Sequence, residues 1–173
     1  MQNFSPLLQF YANQIPDTHG RYIEDIWEFN HQKLEYTHNF IQWIFPLEVM
    51  SRYHPSPILT KQDRLDFAHS DLLKQHQQKS LDVMLDFLGM VRDGLNIVEK
   101  GILTKKEYTW LKPHDHNQLR MTRTIHSLAL CDQPELALSL QQALLVIADK
   151  YGNVNPKIFD YWLNATSVPS LDR

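Results

Sequence analysis

Residues 31–46 read HQKLEYTHNFIQWIFP, and the spacing of their apolar side chains decides the fold class. Leu34, His38, Ile41 and Phe45 recur at i, i+4, i+7 and i+11, the period of one helix face, and Tyr36, Phe40, Trp43 and Ile44 widen that stripe. The spacing predicts a mostly buried helix over 31–45, capped by Asn30 and stopped by Pro46, with Leu34, Ile41, Trp43 and Phe45 in the core. On such a stripe His38 reads as a hydrogen-bonded core histidine rather than a ligand.

Outward from this helix the chain keeps breaking into helix-sized pieces. Ser5 followed by Pro6 opens a short helix towards Asn13, and a turn-rich stretch at 16–20 separates it from one over 22–29. Segment 47–59 holds Pro55 and Pro57 and reads as an ordered loop anchored by Leu47, Val49, Met50, Tyr53 and Leu59. Thr60 with Asp63 resembles a capping box. The Gly- and Pro-free stretch 61–88 is one helix, or two with Ser70 as a second cap, and Gly89 closes it. Further helices are expected over about 115–130, 134–150 (Pro134 first, Gly152 after) and 156–164 (Asn155 as cap, Pro156 first). Residues 92–113 read as an irregular connection with an incidental strand pairing and a helical turn near Glu107. With only 5 glycines and few alternating β-branched runs, the expectation is an all-α, single-domain bundle of about seven helices over residues 1–173.

Composition excludes several classes. Apolar residues make up 43% and charged residues 21%, so the chain should bury a core rather than stay disordered. Seventeen Lys plus Arg against 20 Asp plus Glu leave a net charge of −3, too little positive field for a general nucleic-acid binder. The single cysteine, Cys131, forms no intrachain disulfide and sits beside Asp132, so an inert thiol and a reducing, cytoplasmic location are expected. The start carries no basic region of a signal peptide. The most apolar piece, 136–148, would span only about 20 Å as a helix, short of the roughly 30 Å bilayer core, so no transmembrane segment is expected.

Charge is segregated along the chain. Residues 100–123 hold six Lys or Arg against Glu107 and Asp115, net plus four, whereas 17–48 hold six Asp or Glu against Arg21 and Lys33, net minus four. Mutual pairing of the two segments is the favoured reading, with Glu35 and Arg120 as the candidate ion pair. The alternative is an external ligand. His116, Arg120 and Arg123 fall at i, i+4 and i+7 on one helix face, with Asn117 beside them, near a helix start suited to a carboxylate or phosphate. His116, Asn117, Arg120 and Arg123, with Gln42 and Trp43 of the first stretch, are therefore the candidate ligand-binding residues, although Gln42 and Trp43 fit packing as well. His114, Asp115 and His116 form an HxH triplet that would offer a metal two imidazoles, with His69 or His76 as further ligands. A metal-dependent hydrolase built on that triplet is the less favoured reading, since Pro113 puts it at a helix entry instead of inside a helix and the spacing alone does not fix the third and fourth ligands. No cofactor is expected, and the HExxH, GxSxG, P-loop and GxGxxG patterns are absent.

Two runs resemble a known family. Leu34-Glu35-Tyr36-Thr37-His38-Asn39-Phe40-Ile41-Gln42-Trp43-Ile44-Phe45-Pro46-Leu47 resembles a signature of the opioid growth factor receptor conserved region, and His116-Asn117-Gln118-Leu119-Arg120-Met121-Thr122-Arg123 resembles its second signature. Pro16-Asp17 with Gly20-Arg21, and Met84-Leu85-Asp86-Phe87 before Gly89, extend the likeness over about 10–150. Phe40, Leu88, Thr124 and His126 depart from the usual residues. The resemblance implies an all-helical domain. Animal members resemble receptors for an enkephalin peptide, are associated with the nucleus and its membrane, and carry extra C-terminal sequence, which this chain is expected to lack as a stand-alone, bacterial-type member. By that analogy the chain is a non-enzymatic, receptor-like binding or regulatory module for a peptide, protein or small anionic ligand, with peripheral membrane association only by analogy.

Overall fold

Helices begin where a side chain can take up the first free backbone N–H groups. Ser5, Asn30, Thr60, Asp115 and Asn155 each accept such a bond, and Thr60 and Asp115 complete reciprocal capping boxes with Asp63 and Gln118. The computed structural model describes residues 3–52 and 54–171, so Tyr53, one of the expected loop anchors, lies outside the described residues. In order they form α1 (Pro6–Tyr11), α2 (Ile23–Trp27), α3 (His31–Tyr36), α4 (Ile41–Ile44), α5 (Lys61–Ala68), α6 (Asp71–Phe87), β1 (Met90–Asp93), β2 (Asn96–Glu99), a 3-10 turn (Thr109–Leu111), α7 (His116–Leu130), α8 (Pro134–Tyr151) and α9 (Pro156–Asn164). The chain divides into two compact units, one running to Leu81 and taking in Ser170, the other Asp82–Pro169.

The first unit packs aromatic rings edge to face. Phe10 meets Trp43 with centroids 5.1 Å apart, Tyr11 meets Phe67 at 5.1 Å, and Phe29 meets Phe40 at 5.6 Å. The Tyr11 hydroxyl donates to the Ile44 carbonyl at 2.7 Å, which satisfies both groups inside the core.

The helix expected over 31–45 is broken here into α3 and α4. Thr37 takes extended backbone, and the Arg21 guanidinium donates to both the side-chain and main-chain oxygens of Asn39 at 2.8 and 3.0 Å. Arg21 is itself held by the Asp17 carboxylate at 2.7 Å. The break redirects the residues after it, so His38 is exposed and not a core histidine, while Tyr36, two residues past Leu34 on α3, falls on the opposite face and is 73% exposed. Leu34, Ile41, Trp43 and Phe45 are buried as the spacing predicts.

Stretch 61–88 resolves into two helices, because Ser70 accepts from the Leu73 amide and restarts the chain. Gly89 ends α6 at φ +82°, where an added Cβ would lie 2.8 Å from the Tyr108 ring.

The second unit is built on α7, α8 and α9 with the β1–β2 hairpin. Met121, Ile125 and Leu128 of α7, Leu140 and Leu144 of α8, and Trp162 of α9 are fully buried. Trp110 and Trp162 meet edge-on at 6.3 Å, and the indole N–H of Trp110 donates to the Leu88 carbonyl at 3.0 Å. The hairpin turns at Gly94 (φ +61°) and pairs Met90 with Glu99 through Asp93 with Asn96. It begins slightly before the irregular connection expected over 92–113. The architecture is predominantly helical with one small two-stranded sheet, and nine α-helices among the described residues stand against the seven expected, one more from the break at 37–40 and one more from the restart at Ser70.

Candidate functional site

The start of α7 is organised by its own cap. The Asp115 carboxylate accepts from the Asn117 amide at 3.1 Å and from the Thr109 hydroxyl at 3.2 Å. Gln118, 1% exposed, accepts from the Asp115 amide and donates to the carbonyls of Trp110 and Lys112 at 2.9 and 2.8 Å. That amide ties the 3-10 turn to α7. The preceding segment also fixes α9, since Asn153 donates its amide to the Leu111 carbonyl and Asn155 donates to Pro113 at 2.9 and 3.1 Å. The starts of α7 and α9 are thereby set side by side.

Between them runs an open groove of about 510 Å³, within the roughly 300–1,000 Å³ usual for ligand pockets. His114, His116, Leu119, Lys157, Ile158 and Tyr161 line it, with Asp115 and Gln118 behind. Leu119 and Tyr161 are 56% and 39% exposed, and the Lys157 ammonium stands 6.0 Å from the Tyr161 ring centroid. The groove thus combines an apolar floor with an ammonium and two imidazoles.

The candidate residues named from the sequence fall on both units. His116 is exposed and reaches the groove, whereas Asn117 and Arg120 turn inward, 2% and 7% exposed, where Arg120 donates to the Asn117 side-chain oxygen at 3.2 Å. Arg123 is half-buried on α7. Gln42 and Trp43 are buried in α4 of the first unit, Gln42 donating to the His38 carbonyl at 3.1 Å. Glu35 is half-buried on α3 of the first unit, and Arg120 belongs to the second. Of the metal triplet, His114 and His116 line the groove, but Asp115 is engaged as the helix cap, its oxygen 3.7 Å from the His116 ring. His69 and His76 lie in the first unit with one ring nitrogen each facing a carbonyl, Leu65 at 2.8 Å and Tyr11 at 2.7 Å. Facing a carbonyl, each of those nitrogens is the ring's donor, which leaves the other ring nitrogen as the atom that could ligate. Cys131 is fully buried at the end of α7. Leu119, Lys157, Ile158 and Tyr161 were not singled out from the sequence, because the backbone bonds that bring α9 to α7 join positions some forty residues apart.

Fold and groove together define a predominantly helical module that presents a cation-rimmed apolar cleft. The chain belongs to the opioid growth factor receptor conserved-region family, whose profile matches residues 2–171. It is similar to the rat (Rattus norvegicus) opioid growth factor receptor, 32% identical over 173 residues covering 91% of this chain and 29% of that protein. It is also similar to the human (Homo sapiens) opioid growth factor receptor, 34% identical over 149 residues (82% of this chain, 21% of that protein), and to opioid growth factor receptor-like protein 1 of Xenopus tropicalis, 28% identical over 166 residues (90% and 32%). The chain spans less than a third of the length of these relatives. No solved structure gives a significant match. Among the described residues no helix is long and apolar enough to cross a membrane.

Proposed function

We propose that this chain is a non-enzymatic, receptor-like binding module that holds a short peptide by its carboxylate in the groove between the starts of α7 and α9. The observation that carries this reading is the makeup of the groove: Lys157 with His114 and His116 beside the exposed apolar surface of Leu119 and Tyr161. An ammonium and imidazoles suit a carboxylate, while Leu119 and the Tyr161 ring suit an apolar or aromatic side chain next to it. The relatives' name describes those proteins as receptors for a growth factor, which favours a peptide over an inorganic anion. The reaction alternative, a hydrolase using His114, Asp115 and His116, has less support because the Asp115 carboxylate is occupied in capping α7.

Titration calorimetry with an enkephalin peptide tests the reading. The free acid is expected to bind, and its C-terminal amide, or the variants Lys157→Glu and Leu119→Asp, to bind about tenfold more weakly, the scale of losing one charged hydrogen bond. Equal affinity for acid and amide, or no binding by the folded chain, overturns it.

A further inference from the structure

A second groove of about 270 Å³ lies along the outer edge of β2, lined by Leu95, Ile97, Val98 and Glu99 on the hairpin and by Ala143 and Val146 among the α8 residues. The hairpin register determines which backbone groups face outward. Lys100 donates its amide to the Gly89 carbonyl at 2.8 Å, so Gly89 and Lys100 are a hydrogen-bonded pair. Bonded and non-bonded pairs alternate along an antiparallel ladder, which makes Arg92–Ile97 and Met90–Glu99 the non-bonded ones. The N–H and C=O of Ile97 therefore point away from β1, along the edge that no third strand covers among the described residues.

Glu99 closes one end of this edge. Its carboxylate folds back on its own backbone N–H and meets Tyr151 and Lys150, whose ammonium is 3.5 Å away. Towards the turn the edge stays open, flanked by Leu95, 55% exposed, and by Val146 of α8, 64% exposed. A paired acid and base at one end and uncharged side chains elsewhere favour an uncharged occupant. Within β2 the outward N–H and C=O left open are those of Ile97, a residue 8% exposed, and such a paired donor and acceptor on a strand edge are matched by an extended segment rather than by a helix or a lipid. The groove's volume, about 270 Å³, gives room for a few side chains of one strand.

We propose that the open edge of β2 takes an extended, uncharged segment of a partner protein as an added third strand, its small or β-branched side chains seated on Ala143 and Val146 of α8. This site shares no residue with the groove at α7 and α9. The test is amide NMR of the full chain titrated with acetyl-Thr-Val-Thr-Val-Thr-amide and with the same peptide N-methylated at its central Thr and both Val nitrogens.

The expected result is a shift and slowed exchange of the Ile97 amide with the parent peptide. N-methylation, or the surface substitution Val146→Lys, should weaken it by about tenfold, as for lost backbone hydrogen bonds. Equal binding of the methylated peptide would mean apolar adhesion without strand pairing and overturns the proposal. So does an Ile97 amide that stays unmoved by peptide. Protection of Ile97 that rises with protein concentration alone would assign the edge to a second copy and also overturns it.

Discussion

Trp43 shows how much a single residue carries. It is 5% exposed and lies edge-on to Phe10, on a helix of only four residues that has little stability of its own. Trp43→Ala removes that ring from the core of the first unit and is expected to cost about 3–5 kcal/mol, the usual range for truncating a buried large aromatic. Urea unfolding measures it, and an unchanged midpoint would put Trp43 outside the core. Leu34, Ile41, Trp43 and Phe45 were legible in the sequence because apolar side chains at helical spacing must be buried somewhere. The exposure of His38 was not, since it follows the break where Arg21 bonds to Asn39, a contact spanning 18 positions; Tyr36 is exposed because two residues past Leu34 is the opposite face of α3.

At the scale of elements, helix starts are the most readable feature. Asn30, Thr60, Asp115 and Asn155 cap helices through their own side chains, a local interaction that needs no tertiary partner. The hairpin depends instead on ties across the fold. Glu99 on β2 has its carboxyl held below the ordinary carboxylate range, first by its own backbone N–H and then by Tyr151 and Lys150, against the opposing effect of burial. A depressed acid stabilises the folded state above its unfolded value, about 4.3 for Glu, and that contribution is lost as pH falls through the lowered folded value. Glu99→Gln should therefore melt below the wild type at neutral pH, with the gap closing under acid. Melting curves at several pH values check this, and a gap that persists or widens in acid contradicts it.

On the scale of the whole molecule, circular dichroism is expected to show a dominant helical signal, since among the described residues strands are confined to eight residues of one hairpin. A dominant strand signal would contradict the architecture. Helix class, most helix starts and much of the core were determined by the sequence alone, because periodicity, capping and proline placement act over a few neighbouring residues. The segregation of acidic and basic stretches was also plain in the sequence, and it falls on the two units separately, acid in the first and base in the second. Only the tertiary structure decided that Arg120 turns inward to Asn117 while Lys157 and Tyr161 line the groove with His116, and that Ile97 offers an open edge beside α8. The reason is physical: which face of a helix meets solvent, and which distant helix start stands beside it, is set by long-range contacts such as Asn155 to Pro113 that leave no local pattern in the chain.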